Sequence, residues 1–249
     1  MPTNRIFAIA CVALVACGPS APKEIPSKSE RLEGFDVDVD VRSATLQNGN
    51  IVIEALGKNG EPKSLIDLHV VLSVQSQSGA ELRKIDVDAV GMHGTLGVLE
   101  PGFDVPIHVR EKIDGVPAQI VARVTRAERF ADDPDAPQPL TVRSVNGADT
   151  SGIEVVTFGH FRLDSGGDSG SLPFHAMLGI RNTGKATVKR LDYGIAFTDV
   201  KDRDVDRIPI VHVFEPPLKP GDAILEPVSG MARPYAKLSI DVRSITKAE

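Results

Sequence analysis

This chain of 249 residues is short of aromatic side chains: it has no tryptophan, and aromatic residues make up only 4% of it. Surfaces that bind sugars or single-stranded nucleic acids usually stack their ligands on aromatic rings, so the shortage argues against both. The chain also lacks a long basic run and carries a formal net charge of −6. We therefore expect no nucleic-acid partner for the folded part.

Cysteine is the second shortage. The two cysteines, Cys11 and Cys17, both lie near the start of the chain. The rest of the sequence therefore has no disulfide, no cysteine metal site and no cysteine nucleophile. It also contains neither a phosphate-binding loop nor a dinucleotide fingerprint, so we expect no cofactor.

The first residues have the pattern of an export signal. Arg5 is followed by an apolar run, 6–16, that is too short to span a bilayer. The run ends in Leu-Val-Ala and is followed by Cys17, and this Leu-Val-Ala-Cys sequence resembles the lipobox of bacterial lipoproteins. That resemblance implies a signal peptide over 1–16, cleavage before Cys17, acylation of Cys17 and a membrane held through this lipid anchor. Gly18, rather than Asp, implies sorting to the outer membrane of the cell envelope; the alternative is a plain secretory signal with an incidental cysteine.

Two polar, proline-rich stretches divide the remainder. We expect 17–33 to be the lipidated cysteine and a flexible tether, and 131–147 to be a linker between two domains, 34–130 and 148–249. Composition is otherwise ordinary for a globular protein, with 41% hydrophobic and 25% charged residues.

Within both domains the hydrophobic residues alternate with polar ones. The segment "FDVDVDV" places Val37, Val39 and Val41 on one face, and an aspartate row on the other. The segment "SLIDLHVVLSVQ" predicts a row that starts at Ile66 and continues through Leu68 to Val74, with His69 on the opposite face. Turn signals such as Asn-Gly and Pro-Gly separate these runs, and no helix longer than two turns is indicated.

The pattern of the first half recurs in the second. Asn59 corresponds to Asn182, and the Gly102 of "LEPG" corresponds to the Gly221 of "LKPG". In the second copy we expect two inward rows, which run from Phe174 to Ile180 and from Leu191 to Phe197. The sequence therefore predicts an all-β protein of two tandem immunoglobulin-like β-sandwich domains. In the second half, the pattern "RNTG…V…LDYGIAF" followed by "LKPG" also resembles FxLYD-type domains.

One loop, "DSGGDSGSLPF", resembles the nucleophile loop of trypsin-like serine proteases. The resemblance implies Ser169 as nucleophile, with His69 and Asp104 preceding it in the order of that family. However, His69 lies in mid-strand, Asp104 follows a turn that recurs in the second half, and the repeat aligns the loop with an Asn-Gly hairpin turn. We therefore predict a surface loop and no catalytic residue, and keep a secreted serine hydrolase using Ser169 as the alternative.

Metal sites are weakly indicated. Asp164 and Asp168 lie in a glycine-rich loop, and four aspartates alternate with cations between Asp199 and Asp206, without the glycine and glutamate of an EF-hand. The six histidines are scattered, although His160 and His175 flank the glycine-rich loop. We expect no metal site and predict a non-catalytic binding or scaffolding module, with an envelope protein or an extracellular polymer as partner.

Overall fold

The computed structural model describes residues 23–131, 136–162 and 170–248, and these ranges form an all-β protein, as predicted. Among these residues no helix is long and apolar enough to cross a membrane. The strands are β1 (Ser27–Glu30), β2 (Val37–Gln47), β3 (Asn50–Asn59), β4 (Leu65–Gln75), β5 (Glu81–Val90), β6 (Asp104–Lys112), β7 (Gln119–Arg129), β8 (Gln138–Pro139), β9 (Thr141–Ser144), β10 (Ile153–Arg162), β11 (Leu172–Asn182), β12 (Val188–Thr198), β13 (Asp204–Leu218), β14 (Ala223–Ala232) and β15 (Lys237–Lys247).

The strands form three sheets, and the two halves of the chain use the same order. Two four-stranded sheets have the orders β1-β7-β4-β5 and β9-β15-β12-β13. The third sheet has seven strands, β2-β3-β6-β14-β11-β10-β8, and therefore contains strands from both halves. Its halves meet where β6 and β14, the corresponding strands of the two repeats, run parallel and pair at Asp104 and Ile224. We call this contact the seam.

The two four-stranded sheets cover opposite faces of the seven-stranded sheet. Successive residues of a strand point to opposite faces, and in β14 Ala223 and Leu225 belong to the core of the first sandwich while Ile224 belongs to that of the second. Leu56 of β3 likewise packs into the second core and Val156 of β10 into the first. Each sandwich therefore helps to cover the outer face of the other, which the sequence did not predict.

The predicted inward rows of the second half are confirmed, because Phe174 to Ile180 and Leu191 to Phe197 are buried at every second position. The row predicted in β4 is right from Leu68 to Val74 but wrong at Ile66. The pairing with β7 shifts between Leu65 and Asp67. Ile66 is the extra residue of this bulge, and Leu65 takes the core position instead.

The matched asparagines Asn59 and Asn182 make the same hydrogen bonds. Both are buried, and each side-chain amide donates to two main-chain carbonyls, those of Lys63 and Leu99 in the first sandwich and of Ala186 and Leu218 in the second. Each side-chain oxygen also accepts a main-chain N–H two residues further on. An asparagine satisfies three main-chain groups at once in this way, which explains why both repeats need the amide at this turn.

Two stretches predicted to be irregular contain strands. The tether predicted over 17–33 includes β1, which pairs with β7, and Ile25, which is buried in the first core. The linker predicted over 131–147 includes β8 and β9, which pair with β10 and β15. Both stretches are polar because they form exposed edge strands, which need few apolar side chains.

Candidate functional site

The residues of the protease-like constellation do not assemble in the described part of the chain. Ser169 lies outside the described residues, as does the lipidation candidate Cys17. His69 is on β4, where its Nδ1 lies 2.9 Å from the Thr125 hydroxyl and its Nε2 3.6 Å from Asp88. Asp104 lies in a different sheet, at the seam. His69 and Asp104 therefore have separate partners and do not form a base and its orienting acid.

The candidate metal ligands are engaged elsewhere. Asp199 binds Arg203 at 2.6 Å, and Asp202 binds Lys237 at 2.7 Å. His160 of β10 pairs with Ala176 of β11, so both side chains point to the face that covers the second core. His175 is the neighbour of Ala176 in β11 and therefore points to the opposite face. Burial lowers the pKa of His160. No cluster of three or more metal-binding side chains exists among the described residues, from which Asp164 and Asp168 are missing.

A charge cluster is buried at the seam. Arg42 of β2 donates to Asp222 at 2.7 Å, and both side chains are less than 10% exposed. The Arg42 Nε lies 2.8 Å from Asp40 but is not aligned to donate a hydrogen bond to it. The Asp222 carboxylate also accepts the main-chain N–H of Lys219. An ion pair taken out of water in this way fixes the relative position of its two elements, because separating them would leave a charge buried alone.

Asp104 belongs to the same cluster and is buried beside Asp222. Burial is the main cause that raises its pKa to about 7, and the negative charge of Asp222 adds to the effect. The charges of Lys58 and Arg42 and the main-chain N–H of Ala223 act in the opposite direction. Titration of Asp104 near neutral pH therefore changes the net charge of the seam.

Apolar contacts near the seam also join the two halves of the chain. The ring of Phe103 packs over Gly179 of β11 so closely that an added β-carbon would lie 2.5 Å from a ring atom. Phe158 meets the same ring edge-on at 5.1 Å, and the Arg181 guanidinium lies 5.3 Å from its centroid. Gly179 is thus required for close approach rather than for a turn.

Beside the seam, the two sandwiches enclose a cleft of about 370 Å³, the interdomain cleft. His212 of β13 lies in it with its Nδ1 3.0 Å from an oxygen of Glu226 and its ring 4.5 Å from that of Phe214. Pro106 and His108 of β6 form the opposite wall. The other lining residues are Thr95, Leu96, Val213, Glu215, Pro216, Ile224, Leu225 and Pro227.

The interdomain cleft combines apolar walls with an acid and a base 3.0 Å apart, and apolar walls with a few polar groups are the usual composition of a ligand site. Tyr193 lies behind it with a buried hydroxyl that has no hydrogen-bond partner among the residues described here. Burial, with the nearby Glu226 charge, raises the pKa of Tyr193. Sequence reasoning missed this site because His212 and Glu226 carry no motif and meet only when β13 and β14 face each other.

The comparisons with known proteins assign no family. No family model matches the chain, and no curated protein matches it significantly. Among solved structures the chain is similar to the transglutaminase of red sea bream at 8% identity, with a TM-score of 0.23, over 87% of this chain and 31% of that one. The chain therefore spans less than a third of the length of that enzyme, and a likeness this low carries no functional argument.

Proposed function

We propose that this chain is an exported lipoprotein, anchored through Cys17 to the outer membrane, that acts as a non-catalytic binding or scaffolding module of the cell envelope. The anchor rests on the Leu-Val-Ala-Cys sequence alone, and the observation that carries the scaffolding role is the seam, where a shared sheet and a buried ion pair join the two sandwiches. A joint of this kind holds two sets of loops and edges in a fixed arrangement, which is what a scaffold requires.

The interdomain cleft and the adjoining edge of β13 are the proposed contact surface. β13 is an edge strand of its sheet, and Val211 and Val213 are half exposed on it. An extended segment of an envelope protein can pair with such an edge while its side chains enter a neighbouring pocket. An extracellular polymer could use the cleft alone.

Cross-linking tests the partner. A photo-reactive amino acid at Val213, beside the cleft, should capture a reproducible protein neighbour in the native envelope. The matched control is the same group at Lys84, which is exposed on the edge strand β5 of the other four-stranded sheet. Capture from both positions alike, or from neither, would contradict a specific contact at the cleft.

The anchor and the alternative enzyme need separate tests. Wild-type protein should partition into the detergent phase, whereas Cys17→Ser should remain uncut or partition into the aqueous phase; an aqueous wild type would refute lipidation. Labelling by a fluorophosphonate probe that is lost in Ser169→Ala would instead establish the serine hydrolase and overturn a non-catalytic role.

A further inference from the structure

Because β6 and β14 pair in parallel, the corresponding strands of the two sandwiches run in the same direction. Both strands begin at the same end of the molecule, so both finish at the opposite one. We call the latter the proximal end, because β1 also begins there, beside the start of β7. In the first sandwich the turns 48–49 and 76–80 and the loop 113–118 lie at this end. In the second, the turn 199–203 and the loop 233–236 lie there too.

Exposed apolar side chains from both sandwiches collect at the proximal end. Val116, in the loop after β6, is 79% exposed, and Val200, in the turn after β12, is 80% exposed. Leu46 and Met231 lie near the ends of β2 and β14 and are 37% and 53% exposed. Leu46 and Val116 line one pocket at this end, and exposed apolar side chains on the membrane side of an anchored domain can enter the lipid interface.

Two ion pairs lie beside Val200 at this end. Arg203 and Lys237 neutralise two aspartates of the turn after β12. The exposed Val200 therefore sits among ion pairs that can stay at the level of lipid headgroups while the apolar group enters the interface.

The chain itself limits how far this end can lie from the proposed anchor. Residues 18–22 separate Cys17 from Lys23, the first described residue. Six peptide steps span roughly 20 Å when fully extended. Because β1 occupies part of the stretch predicted as a tether, the segment free to act as a spacer is much shorter than the sequence suggested.

We infer that the proximal end is a membrane-contact surface, on which Val116 and Val200 rest in the headgroup layer of the bilayer that holds Cys17. The inference depends on the proposed lipid anchor and specifies its consequence: both sandwiches stand upright, with the interdomain seam directed away from the bilayer. Binding would be driven by burial of these apolar side chains.

Because the chain lacks tryptophan, a single introduced tryptophan reports its own depth. The lipidated variants V116W, V200W and M92W would be reconstituted in phosphatidylethanolamine–phosphatidylglycerol vesicles that contain brominated lipid. Met92 is 94% exposed in the loop after β5, at the far end, and provides the matched control. We expect the fluorescence of V116W and V200W to be quenched several-fold more than that of M92W; the indole preference for interfaces is common to all three.

A second measurement uses the unsubstituted chain. An amine-reactive, membrane-impermeant reagent should label Lys201, at the proximal end, several-fold more slowly in vesicles than in detergent, while exposed Lys219, at the far end, reacts equally in both. Mass spectrometry of the N-terminal peptide establishes the lipid on Cys17 independently. Equal quenching and equal labelling at both ends of a lipidated chain would refute the contact surface alone, whereas an unlipidated Cys17 would refute the anchor and this inference together.

Discussion

Replacing Asp104 by asparagine tests the charge balance at the seam. The carboxyl is 8% exposed, and the Ala223 N–H that donates to it could donate equally to an asparagine oxygen. The substitution therefore keeps the shape and removes the titration. In the folded protein the pKa of Asp104 is raised to about 7 from an ordinary value of 3.8.

The sign of the effect follows from proton linkage. Between the two pKa values the folded state binds the proton that the unfolded state has released, so the free energy of unfolding falls as the pH rises. The stability that the protonated Asp104 carboxyl contributes is fully present below about pH 4 and is lost as the pH rises through 7. At about 1.4 kcal/mol per unit, the loss is on the order of 4 kcal/mol by pH 8.

Urea unfolding at pH 5 and at pH 8.5 measures the larger part of this loss, which falls between pH 5 and pH 7. Asp104→Asn should be more stable than the wild type at pH 8.5, by a few kcal/mol, and its unfolding free energy should vary less between the two pH values. The control is Asp86→Asn on β5, where the carboxylate is half exposed and solvated. The reasoning fails if Asp104→Asn keeps the pH dependence of the wild type, or if it destabilises the protein equally at both pH values.

Three further substitutions test the packing described above, each by urea or thermal unfolding. Asn182→Ala removes two donors from buried carbonyls and should cost about 3 kcal/mol; a loss below 1 kcal/mol would contradict the role of this amide. Gly179→Ala drives a methyl group into the ring of Phe103 and should cost about 2 kcal/mol, whereas an unchanged midpoint would mean that the seam has room to adjust. Tyr193→Phe removes a buried hydroxyl without a hydrogen-bond partner in the described residues, and should be neutral or stabilise by about 1 kcal/mol; destabilisation would reveal a partner for that hydroxyl.

The sequence was a good guide wherever a residue's own strand decides its environment. Alternation identified the buried rows around Phe174 and Leu191, and the repeat identified Asn59 and Asn182 as equivalent positions. It was wrong at Ile66, because this residue is the extra one in a bulge. The alternation that holds from Leu68 onwards therefore does not extend back across it, and Leu65 is buried instead.

The seam and the cleft could not be predicted for a different reason. A strand's alternation reports which face is buried, but it does not report which strand pairs with its edge. Arg42 and Asp222 are 180 positions apart and meet only because β6 and β14 pair. His212 and Glu226 likewise have no spacing that distinguishes them from surface charges.

The parallel pairing of β6 with β14 also bears on self-association. Two corresponding strands of a repeat that pair with each other form the kind of contact found in a symmetric homodimer, here made within one chain. Such a contact is closed, so a further copy cannot add to it. The edges that remain in the seven-stranded sheet are β2 and the two-residue β8, which ends in Pro139. A single repeat produced alone would expose the start of β6 or of β14, which the intact chain pairs at Asp104 and Ile224, and two such copies should assemble through it.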